Sequence, residues 1–390
     1  MLNNNKIILP YIFFQLLILH IVQFVIGPLI PLISEDLGVG LDIIGIVVSM
    51  GVLGLFVSAF LSGNIIEIYG FKNILYISLV FSFACSLGIY FSAGYISFII
   101  FYLILQFASG IIIGCTISLT GYISPDNRSR NFIIVMIGGA SANLVSPLIV
   151  TFSLLRNTGW RVIFLFIAVF LLILSIILFF IKIPRPPRQQ RGIWQIIRSD
   201  KKILLNGLII TYSILMFFNI AVIFTFYTWF TLYFSSFGIS IARSSLYLSL
   251  FGLALVLGSV IKIQILKIKA EADLLFYSLI ISLASILAIN FSKALVMSVI
   301  LVFLFGLSIS SNGMIIISMG VKVFKKYNNN VAGFLMAASY LGVMFFQYLT
   351  GYLSENYTSG SVIYINVCLV LLSLIIVIFI KTLIKRSRRS

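Results

Sequence analysis

Apolar residues fill this chain in twelve long runs separated by short polar intervals: 9–32, 43–66, 73–92, 96–122, 132–155, 161–182, 203–234, 244–266, 272–291, 295–319, 331–354 and 361–384. A helix needs about 20 mainly apolar residues to cross a bilayer, and each run meets that length. Many runs are rich in Ile, Val and Phe, which favour strands in water. In lipid, every backbone N–H and C=O must find its partner within the structure, which an open strand cannot provide. A closed barrel needs shorter, alternating segments, whereas these runs are uniformly apolar. The pattern predicts an all-α membrane protein with twelve spans.

The longest polar interval, Pro184–Lys202, divides six spans from six. The expected organisation is a bundle over 1–183, a linker over 184–202 and a second bundle over 203–390. Pro184-Arg185-Pro186-Pro187-Arg188 ends span 6. The stretch around Trp194, Ile196 and Ile197 is amphipathic and suits the headgroup region. Residues 7–33 are too long for a signal-peptide core and lack a small-residue cleavage site, so they read as the first span.

Charge orients the spans. Only 9% of residues are charged, yet Lys and Arg number 26 against 9 Asp and Glu. With the N-terminus in the cytoplasm, 22 of the basic residues fall inside; only Arg156, Arg161, Arg243 and Lys293 fall outside. That asymmetry predicts a multi-pass protein of the plasma membrane with both termini cytoplasmic. The net charge of +17 is scattered over loops and a tail. It suits anionic lipid headgroups and lacks the concentrated patch of a nucleic-acid binder.

Catalytic chemistry finds no footing. Cys85, Cys115 and Cys368 sit in separate spans with no metal-ligand spacing, and a single histidine cannot build a histidine metal site. All nine acids lie at span ends or in loops, including Lys-rich intervals such as the one holding Glu271 and Asp273. No GxxxxGK phosphate loop is present. The reading is therefore no enzyme, no metal and no cofactor.

After span 2 comes Gly63-Asn64-Ile65-Ile66-Glu67-Ile68-Tyr69-Gly70-Phe71-Lys72. This resembles motif A of the major facilitator superfamily, G-x-L-x-D-r-x-G-r-k, with Glu in place of Asp. Gly159-Trp160-Arg161 and Pro125-Asp126-Asn127-Arg128-Ser129-Arg130 are similar to two further loops of that family. The spacing of a charged residue four after the motif's first position has degenerate echoes following helices 5, 8 and 11, as at Gly258 and Lys262. The resemblance implies two pseudo-symmetric six-helix bundles and a cytoplasmic gate built from Gly63, Glu67, Gly70, Lys72, Arg128 and Arg130. In that gate Glu67 pairs with Arg128 or Arg130, or caps span 11 near Val331.

A substrate site in such a fold lies near the midplane, and buried polar side chains are its candidates. Span 1 carries Gln15, His20 and Gln23, which at about 100° per residue share one side of the helix. Span 4 carries Gln106, where proton-linked antiporters of the family have Arg in R-x-x-x-G. Span 5 carries Asn143, and the antiporter motif C is only faintly visible around Ser146-Pro147. Span 7 repeats Tyr212, Asn219 and Phe226 at heptad spacing. Span 10 offers Ser308, Ser311 and Asn312, and span 11 offers Tyr340 and Gln347. The expected cavity is neutral, aromatic and amide-lined, with no Asp, Glu, Lys or Arg at mid-membrane depth. Proton coupling then falls to His20, the only deep titratable candidate. The expected activity is alternating-access transport of a small neutral or amphipathic organic solute, with efflux ahead of uptake of a neutral metabolite. A membrane-embedded structural or lipid-handling protein is the reading from another class. The expected partners are the small-molecule substrate, membrane lipid and protons as coupling ion, with no nucleic acid. A monomer is expected.

Overall fold

The computed structural model describes residues 5–123, 128–184, 206–292, 295–323 and 328–387. Fourteen helices and no strand occur among them. They are α1 (Asn5–Phe24), α2 (Ile26–Leu37), α3 (Leu41–Tyr69), α4 (Phe71–Tyr90), α5 (Tyr95–Ile123), α6 (Arg128–Leu155) and α7 (Arg161–Phe180). The rest are α8 (Gly207–Ser235), α9 (Ile241–Ile265), α10 (Glu271–Phe291), α11 (Leu295–Ile309), α12 (Asn312–Val323), α13 (Asn328–Asn356) and α14 (Ser361–Ser387). Twelve spans long and apolar enough to cross a membrane result: the first is Ile7–Phe24 of α1, which α2 continues after a break, and α11 with α12 makes span 10, Leu295–Val323.

The two divided spans have different causes. In span 1 the division follows Phe24, four residues before Pro28. Proline has no N–H to give to the carbonyl four residues back, so the ladder is interrupted there. Span 10 has no proline. It divides at Ser310-Ser311, where Ser311 takes a φ of +53°, and the reason lies in a neighbouring side chain described below.

Local signals set the ends. Asn206 accepts from the Leu208 N–H and caps α8. Ser240 accepts from the Arg243 N–H, so α9 begins at Ile241, ahead of the apolar run that starts at 244. Gly38, at φ +62°, closes α2 in the left-handed conformation that costs glycine least. Glu271 and Asp273 occupy the first turn of α10, where the helix dipole favours negative charge. The amphipathic linker stretch at Trp194 lies outside the described residues.

The outward faces are apolar, with Phe14, Phe81, Phe166, Phe180 and Phe379 all more than half exposed. Such a surface is stable in lipid and not in water. Several serines inside the spans are satisfied within their own helices: Ser82, Ser109 and Ser175 each donate to the carbonyl four residues earlier.

The chain forms two compact units, Met1–Gly40 with Val47–Ser199 and Leu41–Ile46 with Asp200–Ser390. In the first, α1 packs on α6, and α4 packs on α5 and α7. In the second, α8 packs on α13, and α10 packs on α11 and α14. The scheme repeats in detail. Gly138 on α6 lies against the Phe13 carbonyl of α1, and Gly342 on α13 lies against the Phe217 carbonyl of α8. Both members of the pair recur after the same interval of 204 residues. Glycine is needed at these crossings because a Cβ would meet backbone, which cannot rotate aside.

A second repeated crossing is reversed. In the first unit Gly110 and Gly114 of α5 sit against Ser58 and Ser62 of α3. In the second, Gly258 of α9 sits against Ser310. Glycine and serine have exchanged helices across an interval of 200 residues, and the counterpart of Ser62 is Lys262. The core of the second unit is aromatic: Phe226 lies 5.0 Å from Phe251 and 4.8 Å from Phe305, ring centroid to centroid. The Tyr212–Phe226 face of span 7 therefore points into its own bundle at Phe226.

Candidate functional site

In the first unit the polar face of α1 turns toward α5 and α6. Gln15 is fully buried, and its Oε1 accepts from the Thr116 hydroxyl at 3.5 Å, while its Nε2 has no partner. His20 lies over Gly139 of α6, at about the distance where a Cβ would touch its ring (3.0 Å). Its Nδ1 is 2.9 Å from the Leu16 carbonyl. Because a carbonyl only accepts, Nδ1 carries the proton and Nε2 is left as an acceptor. Gln23 is half-buried.

Gln106 donates through Nε2 to the Tyr102 hydroxyl at 2.8 Å, and its buried Oε1 has no partner. Asn143 donates to the Ala140 carbonyl one turn back at 3.1 Å. The five predicted residues of this unit thus lie on three mutually packed helices, α1, α5 and α6. Gln15 bonds across to another helix, to a threonine that sequence reading did not single out.

In the second unit the predicted residues lie on α8, α12 and α13, which also pack together. Gln347 is a junction rather than a free group. Its Oε1 accepts from the Trp229 indole N–H at 2.7 Å, and its Nε2 donates to Thr228 Oγ1 at 2.8 Å and to the Phe224 carbonyl at 3.1 Å. Asn219 is the opposite case. It is fully buried, and neither its Oδ1 nor its Nδ2 has a partner. Tyr212 is buried near Gly320 of α12. Beside these residues α8, α12 and α13 enclose a cavity of about 200 Å³. Its apolar wall includes Met216, Ile220 and Phe224, and its polar groups come from Ser311, Ser339 and Tyr340. Ser311 and Tyr340 are the predicted residues that reach this cavity.

Lys262 departs from the sequence reading, which assigned it to a loop outside the membrane. It lies within α9 and is 5% exposed. Its ammonium donates to the Ser308 carbonyl at 2.6 Å, the Ser310 carbonyl at 2.5 Å and Asn312 Oδ1 at 2.5 Å. These are the oxygens at the division of span 10, so the ammonium stands in for the helical N–H groups the ladder has lost there. An interior free of charge was expected; among the described residues this bundle holds one buried cation. The available signal was a lone lysine inside an apolar run, between Ile261 and Ile263. Thr225 with Asn366 of α14, at 3.2 Å, is a second buried polar pair that spacing did not reveal.

At the motif A end, Gly70 takes a φ of +80° between α3 and α4, as a glycine turn requires. Gly63 lies within α3. Lys72 donates to the Phe179 carbonyl at 2.8 Å and so caps the last turn of α7. The side chains of Glu67, Arg128 and Arg130 lie outside the described residues. At the other end of this unit Asp36 accepts from the Trp160 indole at 3.1 Å and pairs with Arg161 at 2.5 Å. The Arg161 guanidinium also lies over the Trp160 ring, 4.6 Å from its centroid.

No group of His, Cys, Asp or Glu among the described residues could hold a metal. The arrangement offers amides, hydroxyls and apolar walls.

Known proteins share this architecture. The profile of the Major Facilitator Superfamily matches residues 12–342. A solved nucleoside transporter superposes with a TM-score of 0.79 at 14% identity, covering 95% of this chain and 99% of its own. The xylose transporter of E. coli in an inward-open conformation gives 0.76 at 14% identity, covering 97% and 95%. A bacterial homologue of the human lysosomal transporter Spinster, inward-facing and unoccupied, gives 0.74 at 12% identity, covering 97% and 96%. With twelve apolar spans and a profile match over most of its length, the chain belongs to the major facilitator superfamily: it is a multi-pass membrane protein and a secondary transporter, not an enzyme.

Proposed function

We propose that this transporter moves a small neutral or amphipathic organic solute by alternating access of its two six-helix bundles, and that it works in the direction of efflux. The bundles are 1–183 and 203–390, joined by the 184–202 linker. Asn219 carries the reading. A fully buried amide with neither atom paired loses about 1–3 kcal/mol per unsatisfied group, and a neutral solute with a hydroxyl or amide would supply the missing partners. The other buried groups on which the reading draws are also neutral, and the Lys262 charge is consumed by three acceptors. Gln15, Gln23, Gln106, Asn143, Tyr212, Asn312, Tyr340 and Gln347 complete the proposed substrate-contacting set, with His20 as the group that couples protons to transport.

Glu67 with Arg128 or Arg130 is proposed as the latch of the cytoplasmic side, and Gly63, Gly70 and Lys72 shape the turn that carries it. The proposal places the protein in the plasma membrane as a monomer, its termini cytoplasmic and its basic loops against anionic lipid. Cysteines introduced at 184–202 should then label only from the cytoplasm, and those near Asn356 only from outside.

The test is paired uptake and efflux in proteoliposomes with an imposed pH gradient, using matched neutral and charged fluorescent amphiphiles. Movement of the neutral compounds only, lost in Asn219→Leu and uncoupled from the gradient in His20→Gln, supports the reading. Equal transport of charged analogues, or full activity in Asn219→Leu, would sink it. Uptake of a neutral metabolite is the second reading, favoured by the hydroxyls of Ser311, Ser339 and Tyr340 in a cavity of about 200 Å³; accumulation rather than export in the same assay would select it.

A further inference from the structure

Lys262 invites a question that its three hydrogen bonds do not answer. An ammonium buried in an apolar bundle is opposed by desolvation and supported by the oxygens around it. Those oxygens are neutral, two carbonyls and one amide, with no carboxylate among them. The charged form is thus held by dipoles alone.

The surroundings prepare for its loss. Asn312 is fully buried, and its Oδ1 accepts from the ammonium while its Nδ2 has no partner. A –NH3+ group has three donors and no acceptor; a –NH2 group has two donors and one lone pair. If Lys262 gives one proton to water, its three acceptors exceed its two donors. Turning the Asn312 amide over restores the balance. Nδ2–H then donates to the Nζ lone pair, and the two remaining amine hydrogens serve the Ser308 and Ser310 carbonyls. The orphaned Nδ2 of the charged form becomes the donor that the neutral form requires. Lys262 also lines a groove between α9, α10 and α11 that reaches Lys269, with mostly apolar walls.

We propose that Lys262 and Asn312 form a proton-binding site that sets the geometry of span 10: the ammonium holds the division at Ser310-Ser311 through charge-assisted hydrogen bonds, and the amine, whose neutral bonds to the same carbonyls are weaker, loosens it. The joint can respond because it is already off the helical path, with Ser311 in the left-handed region and its hydroxyl donating to Ser259 of α9 at 2.6 Å. Few other titratable groups bear on the site. α11 carries none. α8 contributes the buried Tyr212, Tyr227 and Tyr233. Tyr277 and Lys269 line the groove. Glu271 is held by Ser318 and Lys322, and Asp273 by Lys381.

The test is hydrogen–deuterium exchange across residues 303–318 of the full-length protein in nanodiscs, corrected for the intrinsic pH dependence of exchange. Wild type is expected to lose protection there by about tenfold between about pH 6 and pH 9. Asn312→Asp adds a carboxylate that fixes the ammonium and should give the low-pH level throughout. Lys262→Met should be flat. A flat wild-type profile overturns the proposal by itself, whether or not any variant folds. A wild-type profile reproduced unchanged by Asn312→Asp also overturns it, since another group would then be titrating. The readout needs no substrate and is independent of which solute is carried.

Discussion

Replacing Gly342 by alanine should separate the two helices that carry the most polar contacts of the second unit. A Cβ there would land on the Phe217 carbonyl oxygen, with the Phe217 carbonyl carbon 2.7 Å and Cα 2.9 Å away. All three atoms are backbone, so no rotamer change makes room and α8 must move from α13. Overpacking of this kind costs about 1–3 kcal/mol. The substitution also favours the helix, because alanine exceeds glycine by about 1 kcal/mol in helix propensity. Gly333→Ala isolates the steric part: it lies in the same helix with nothing within 4 Å of its would-be Cβ. The propensity gain is common to both variants, so the difference between them should be the overpacking alone, about 1–3 kcal/mol. At about 2–4 °C per kcal/mol for a unit of this size, Gly342→Ala should melt roughly 2–12 °C below Gly333→Ala. Trp229 sits in α8 with its indole on Gln347 of α13, so intrinsic fluorescence in one detergent reads the event directly. If the two variants melt together, or Gly342→Ala melts higher, the close crossing is wrong.

Gln347→Leu should lower stability by about 1–3 kcal/mol, because it strands the buried Trp229 N–H without an acceptor; a melting point equal to wild type would show that the junction contributes nothing. Asp36→Asn should change the melting midpoint little, since the Asp36–Arg161 pair is part-exposed on both sides and such pairs contribute about 0–1 kcal/mol. Loss of folded protein in that variant would mean that the Trp160 contact carries more than the charge pair.

The spans and their number follow from apolar run length, because lipid leaves the backbone no other way to satisfy itself. Span ends are legible where a cap is local, as at Asn206 and Gly38. The division of span 1 is written in Pro28. That of span 10 is not: it depends on a lysine 48 residues before Ser310 in the chain reaching across from another helix. The charge count assigned Lys262 to the cytoplasmic loops, although it falls within the apolar run 244–266, because lysines near span ends usually reach for water. Among candidate site residues, helical spacing predicts which side chains share a face but not what they meet. Gln347 and Asn219 look alike in sequence. One has three partners and the other none, and the difference comes from Trp229 and Thr228, whose register against α13 is a tertiary fact.

The contrast between the two copies of the crossing at Ser62 and Lys262 has a mechanical consequence. In the first unit the span opposite Ser62 is one rod of 29 residues. In the second, the matching span is two rods of 15 and 12 residues with a joint between them. A rod transmits a tilt from one membrane face to the other. A jointed pair can turn at one face while the other stays still. At this span the first unit is thus built as a lever and the second as a hinge, and the exchange of Ser62 for Lys262 between the duplicated halves goes with that difference.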